Sequence, residues 1–581
     1  MLLNFERKQI CAVILEQFFS HFDVFWRQGF ANARNLIWRG VCTPNHREFS
    51  PKKGAHGIGR SSRSVKIGAR QPELRGHVAF AGSTQVKLEP SGRIFGVAHA
   101  DGVDVAKQKF GLGVARIGGW DQVFDGFFKL PVGKGIPRGL HIGLCGQGKA
   151  AQKKKQAHCL SLWFCVLFTG AVGAQDLPKP LLDDAFLQFD PAQASLGQLL
   201  FYDPLLSGNR NISCATCHSP EFGSGDGVAL SFGEGGAGIG PERRQGRATV
   251  RQSRNAPALW NLSAKEVRVL FHDGRVEQVD DALRTPAWAQ LPDGLNSVLA
   301  AQILFPLLAR TEMAGDPEEN EIAAAAQNNA KEAWRLIADR VVANGEYRDM
   351  FDAVYGGGKY DISHVVNALA AFIDVDFRAQ NTAFDRYVSG GTAALSDAQI
   401  NGLQLFYGEA GCVACHSGSL FSDQSFHSIG LPQFGPGMTR RFDPVARDVG
   451  RMAVSDDLGD AYRFRTPFLR NVARTGPYGH NGAYATLEGI IRHHSDPKTA
   501  LRAWTPRDVE MLPFGGVGDD FSTHSDAIER RRLAASIDIP ATLLSETQIS
   551  EIVAFLKSLN SPTMQGPLGR PERVPSGLPL D

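Results

Sequence analysis

Apolar positions along the second half of the chain recur with helical period and only rarely with strand period. In "LSDAQINGLQLFYGEAGCVACHSG" (395–418), Ile400, Leu403 and Phe406 fall on one helical face. Ser396 and Gln399 stand in capping-box spacing ahead of them. "LSETQISEIVAFLKSL" (544–559) repeats the arrangement, with Ser545 and Gln548 before Ile549, Ile552, Val553, Leu556 and Leu559. "PAQASLGQLLFYDPLLS" (191–207) predicts a matching helix earlier in the chain, and "ATLEGIIRHHSDP" (485–497) a short one capped by Thr486. Clear alternation is scarce, so the predicted class is mainly α with long loops. Residues 1–147 show no sustained period of either kind.

Between these regions lies "KKKQAHCLSLWFCVLFTGAVGAQ" (153–175). Lysines precede an apolar run, and Val172 and Ala174 fit the −3 and −1 positions of a signal-peptidase site. The run is shorter than the roughly 20 residues a spanning helix needs. We read residues 148–174 as a signal peptide, the alternative being a buried core helix. Such a segment belongs at an N-terminus, so residues 1–147 are expected not to be part of the mature protein. With no methionine between Met1 and Met313, the true start would then use another codon. A basic N-terminal domain is the other reading.

Composition changes little. The 581 residues allow three or four domains at about 150 each. With 43% hydrophobic residues, 21% charged residues and a net charge of +2, there is no electrostatic case for a nucleic-acid partner. The high glycine and proline content agrees with long loops.

The cysteines change the picture. After residue 174 only Cys214, Cys217, Cys412 and Cys415 occur, in the frames "CATCH" and "CVACH". C-x-x-C-H is the attachment frame of a c-type haem: two thiols add to the vinyl groups and the histidine ligates the iron. Cys214, Cys217 and His218 would hold one haem, and Cys412, Cys415 and His416 a second. A zinc half-site would need further ligands at close spacing, and His218 and His416 lie 198 residues apart. A thioredoxin-like pair would need a βαβ context that the pattern lacks. "GEGGAG" (233–238) fits G-x-G-x-x-G but has no strand before it or helix after it, so it reads as a flexible loop.

Several ordered blocks go further: "GQLLFYDPLLSGNRNISCATCHSP", "NAPALWN", "FHDGRVE", "TEMAG", "GCVACHSGSLFSDQSFHSIGLP" and "FRTPFLRNVARTGPYGHNGAYATLEGIIRHH". Over about 190–560 the chain resembles the bacterial dihaem cytochrome c peroxidases, including their MauG-type branch. The resemblance implies two class I cytochrome c-like domains, 175–385 and 386–581, with one calcium ion between them. The N-terminal haem would meet peroxide and the C-terminal haem would pass electrons.

On the same basis Glu312 falls on the family's distal glutamate, where a carboxylate moves a proton between peroxide oxygens. Taken locally, Glu312 would read as a capping or solvated carboxylate. Pro306 takes the place of a distal-pocket proline, and Asn255, Thr475 and Pro477 match calcium-binding positions. Two departures stand out. The loop histidine that caps the resting peroxidase has Glu234 near its place, with no histidine between His218 and His272, so an open or water-occupied distal side is expected. The inter-haem tryptophan is here His272, and nearby Trp260 reads as a buried aromatic.

The sixth ligand of the second haem in the family lies fourteen residues beyond the histidine of a "PY-x-H" block. That histidine is His480, which makes His494 the ligand in place of methionine or tyrosine. Met438, Met452 and His493 are its rivals. The expected function is a periplasmic peroxidase that reduces hydrogen peroxide with electrons from a small donor protein, a cytochrome c or a cupredoxin. The alternatives are a MauG-type oxidase acting on tryptophan or tyrosine of a partner protein, and a non-enzymatic dihaem carrier. Family members often form homodimers.

Overall fold

Helix α1 (Pro191–Tyr202) starts with proline after the Asp190 cap, whose carboxylate accepts from the Ala192 amide. Proline suits that position because the first amides of a helix have no intrahelical partner. This computed structural model describes residues 77–80, 84–87 and 177–581 except 441, 444, 517 and 518. The chain forms two units, Met1–His158 and Cys159–Asp581. In the first, strands β1 (His77–Phe80) and β2 (Thr84–Lys87) pair antiparallel. The expected signal peptide, 148–174, lies outside the described residues, as does most of 1–147.

The second unit is largely helical. After α1 come α2 (Cys214–Cys217), α3 (Val298–Ile303), α4 (Ile362–Asp376), α5 (Asp397–Tyr407), α6 (Leu487–Ser495) and α7 (Glu546–Ser558), with further helices between them, Ala330–Val342 and Gly345–Tyr355 among them. Strands are small: β3 (Val269–Leu270), β4 (Val276–Val279) and β5 (Ala282–Arg284) form one antiparallel sheet, and β6 (Phe426–His427) pairs with β7 (Phe464–Arg465). The capping boxes expected at Ser396 and Ser545 both form.

Two helix crossings organise the unit, and they are alike. In the first, α1 packs on α4; a Cβ at Gly197 would clash with the Ala368 carbonyl and meet Phe372. In the second, α5 packs on α7; a Cβ at Gly402 would clash with the Glu551 carbonyl and meet Phe555. Only glycine lets the two backbones approach so closely. The sequences at these crossings are "GQLLFY" and "GLQLFY", each followed by a C-x-x-C-H frame. Around the first lies a core with Leu200, Phe201, Leu299, Trp334, Leu369 and Phe372. Around the second lies one with Leu403, Phe406, Phe421, Ile552 and Phe555.

Two segments cross the division that sequence suggests at 385–386, one after residue 176 and one near the C-terminus. Leu177 packs on the second core, and the Leu181 amide donates to Asp385. Conversely, Val574 is buried in the first core, and Ser576 Oγ donates to Asp203 at 2.7 Å. Asp385 is held by a buried, two-pronged pair with Arg470, Nη2 to Oδ1 at 2.8 Å and Nη1 to Oδ2 at 2.9 Å. Burial raises the carboxyl pKa, but the Arg470 guanidinium outweighs it and keeps Asp385 below the usual carboxylate range.

Candidate functional site

The first C-x-x-C-H frame begins as α2 under a Ser213–Thr216 capping box and ends with His218 as the C-cap. His218 Nδ1 lies 3.0 Å from the Ser224 carbonyl. Donation to that carbonyl fixes the tautomer and leaves Nε2 unprotonated, which is how metal-binding imidazoles are commonly oriented. Burial lowers the pKa of the ring and raises those of the Cys214 and Cys217 thiols to about 12, so the imidazole is neutral and the thiols protonated.

His218, Cys214 and Cys217 line one cleft together with Pro306, Glu312 and His272. Leu299, Leu307, Leu369 and Ile373 supply apolar walls. Glu312 sits on a single π-turn, Arg310–Ala314, ended by Gly315 at φ 81° and ψ −167°. Such turns are rare and occur mostly at functional positions, and that backbone region is essentially open only to glycine. Burial raises the Glu312 carboxyl pKa, and the Arg275 charge partly offsets this.

Glu234 does not line the cleft. Its amide bonds the carbonyls of Thr311 and Glu312, while its carboxylate accepts from Asn209 at 2.9 Å and Asn211 at 2.8 Å. The loop therefore braces the Glu312 turn from behind.

Several cleft residues escaped the sequence reading. Gln302 lies on α3, four residues before Pro306, and its buried Oε1 has no hydrogen-bond partner. A polar residue inside "VLAAQILFP" was the available signal. Met438 also lines this cleft, with Sδ 2.9 Å from Arg275 Nη1, so it belongs to the first site and not to the second. Asp226 lines it too, pushed up to about 6 by burial.

The second frame is arranged differently. His416 Nδ1 faces the Phe421 carbonyl at 3.1 Å, and His494 Nδ1, from the last turn of α6, faces the Ile490 carbonyl at 2.8 Å. The two ring centroids are 6.4 Å apart. Metal–imidazole bonds of about 2 Å on opposite sides of one ion give a centroid separation of about 6 Å. Burial and the neighbouring His494 pull His416 down to about 4, and burial lowers His494. Neutral imidazoles are the ligating form.

His493 is engaged elsewhere: Nδ1 lies 2.8 Å from the Tyr484 hydroxyl and Nε2 2.7 Å from the Ile429 carbonyl. Met452 is buried at the start of the short helix Met452–Ser455.

Between the two frames, His272 Nε2 faces the Asn255 carbonyl at 3.3 Å, and the Asn255 amide donates to the His480 carbonyl at 2.9 Å. The His480 ring stacks on Phe464 at 3.7 Å. Asn255 Nδ2 donates to the Pro477 carbonyl at 2.9 Å, and Thr475, two residues earlier, caps the short helix Val472–Arg474. Cys415, Asp423 and His427 have ligand atoms within 4.8 Å of one another. Once the Cys415 thiol has added to haem, that trio keeps only two ordinary ligands, too few for a closed metal site.

Two C-x-x-C-H frames, each with a neutral, carbonyl-oriented histidine beside a repeated helix crossing, define a two-haem c-type oxidoreductase. Residues 191–393 match the family model for di-haem cytochrome c peroxidase. The chain is 30% identical to the methylamine utilization protein MauG of Methylorubrum extorquens over 328 residues, 56% of this chain and 73% of that one. It is also 30% identical to the cytochrome c551 peroxidase of Nitrosomonas europaea over 333 residues, covering 57% and 80%. A solved MauG-like protein associated with microbial copper homeostasis shares 25% identity, with a TM-score of 0.43 and coverage of 67% and 95%. The chain belongs to the di-haem cytochrome c peroxidase family and is a peroxidase-type oxidoreductase with two c-type haems.

Proposed function

We propose that this enzyme reduces hydrogen peroxide at the first haem and receives electrons from a small donor protein through the second. Cys214, Cys217 and His218 hold the first haem, and Cys412, Cys415, His416 and His494 hold the second. The two similar helix crossings support two class I cytochrome c-like domains. The haems supply the redox chemistry; the chain supplies access, orientation and proton movement.

The carrying observation is the asymmetry between the sites. One histidine faces a cleft bordered by a carboxyl group; the other faces a second imidazole at 6.4 Å. A substrate needs an open face, whereas electron transfer needs only a closed, rigid one. At the first site Glu312 takes the proton from the peroxide oxygen nearer His218 and returns it to the leaving oxygen. Gln302, with its free Oε1, orients the peroxide O–H. Pro306 cannot donate a backbone hydrogen bond and narrows the approach.

Mixing the enzyme with peroxide and a reduced cytochrome c or cupredoxin tests this reading, with steady turnover as the expected result. A second reading, MauG-type oxidation of tryptophan or tyrosine on a partner protein, is favoured by the nitrogen ligand at His494 and the absence of histidine between His218 and His272. It requires an oxidised state that persists with donors and discharges only onto the partner. No spectral change with peroxide would sink both readings. The site of action is the periplasm, reached through the segment 148–174.

We further propose one calcium ion at Asn255, Thr475 and Pro477. Turning the Asn255 amide about its last bond exchanges N and O. Its oxygen then replaces nitrogen at 2.9 Å from the Pro477 carbonyl, and two such oxygens suit a shared hard cation. Metal analysis is expected to find one calcium per chain, and chelation to slow inter-haem electron transfer, because Asn255 joins the His272 and His480 segments. Calcium-free protein with unchanged transfer would refute the site.

A further inference from the structure

Trp260 has a position its sequence does not announce. It is buried and edge-on to Phe377, as a core aromatic would be. Yet its indole Nε1 donates to the Gly223 carbonyl at 2.9 Å, and the next carbonyl, that of Ser224, is the one 3.0 Å from His218 Nδ1. One peptide unit thus separates the indole from the histidine of the first haem.

That turn is held in an uncommon shape. Gly223 has φ +74° and Ser224 φ +67°, a region that costs a non-glycine residue energy. Ser224 is fully buried, and its hydroxyl donates to the Gly223 carbonyl and accepts the Leu259 amide at 2.9 Å. The strained turn directs successive carbonyls at His218 and Trp260.

Trp260 also borders a separate cavity of about 520 Å³, whose wall includes Asp376, Arg378, Gln380 and Gln565. Its volume lies within the range of small-molecule sites. Its wall, part polar and part apolar with Trp260, Val375 and Pro567 beside the polar groups, suits a hydroxylated aromatic. No part of it belongs to the cleft with Glu312.

We propose that Trp260 relays single electrons from a phenol-class reductant bound in this cavity to the first haem site. The inference rests on the peroxidase reading above. The indole gives up one electron and keeps its proton, because its partner is a carbonyl and not a base. A phenol in the cavity then returns one electron to the indole. Its O–H bond breaks, the proton passes to solvent at the mouth of the cavity, and a phenoxyl radical leaves. Two such transfers discharge the two oxidising equivalents of one peroxide. One peroxide and two phenols thereby become two waters and two phenoxyl radicals. This route starts from the Nδ1 side of His218 and is separate from the donor-protein route through the second haem.

The test uses the holoenzyme. Wild type mixed with peroxide alone and frozen is expected to show an organic radical by electron paramagnetic resonance, narrowed when ring-deuterated tryptophan is incorporated. In Trp260→Phe, with both haems attached and peroxide consumed at an unchanged initial rate, that signal falls at least tenfold. Guaiacol oxidation falls at least tenfold as well, while oxidation of reduced cytochrome c is kept. Gln565→Trp, which partly fills the cavity, keeps the radical but raises the KM for guaiacol. An unchanged radical in Trp260→Phe, or guaiacol kinetics unchanged in both variants, overturns the relay alone. Loss of cytochrome c oxidation with guaiacol untouched overturns the small-molecule site. If peroxide reacts with neither protein, the peroxidase reading falls and this inference with it.

Discussion

Replacing His494 by alanine is expected to turn the second haem from low-spin to high-spin, and to raise its midpoint potential by about 0.1 V out of the ~0.8 V that axial ligands span. Removing a nitrogen donor removes a ligand that stabilises the ferric state. The prediction depends on His494 and His416 lying 6.4 Å apart, each with Nδ1 turned to a carbonyl. His493→Ala is the necessary contrast. It should leave the spin state alone and destabilise the fold, since it strands the buried Tyr484 hydroxyl and Ile429 carbonyl at a cost of about 1–3 kcal/mol each. Optical and paramagnetic resonance spectra read the first effect, and thermal melting the second. A low-spin second haem surviving in His494→Ala, or lost in His493→Ala, would mean that the ligand has been misassigned by one residue.

Glu312→Gln is expected to slow the reaction with peroxide by about 10²–10⁴-fold, the usual contribution of a positioned proton carrier. The second haem should keep its spectrum, since its frame shares no residue with the Glu312 cleft. The pH dependence has a definite sign. Burial raises the Glu312 pKa above its ordinary 4.5. Proton abstraction needs the carboxylate, so the wild-type rate climbs as pH rises through that raised value, and Glu312→Gln flattens the climb. Stability runs the other way. A raised carboxyl pKa contributes stability that is complete below the unfolded value and is lost as pH rises through the folded one. Glu312→Gln should therefore be more stable than wild type at neutral pH while being far less active. Stopped-flow rates and denaturant midpoints across pH check both halves. A variant with wild-type rates would remove Glu312 from the mechanism.

The helices around both haem frames were legible because their apolar faces and caps are local features. Ser396 with Gln399, and Ser545 with Gln548, each form the box their spacing implies. The likeness of "GQLLFY" and "GLQLFY" was on view in the chain, but its meaning, one glycine contact made twice, needs the partner helices 171 and 149 residues further on. Met438 shows the opposite case. By sequence it is a rival to His494 as ligand of the second haem, yet Arg275 holds it at the first cleft. Trp260 was rightly read as buried, but burial alone could not reveal that its nitrogen meets the carbonyl next to that of His218.

Taken alone, the sequence determined the two c-type haem frames, the mainly helical class and the family, because covalent attachment and helix capping operate within a few residues. Only the tertiary structure decided that Tyr484 and Ile429 hold His493 away from His416, which cleft receives Met438 and Gln302, and that the C-terminal segment packs on the first core. Those outcomes depend on packing between segments far apart in sequence, and on whether each buried polar atom finds a partner once that packing is complete.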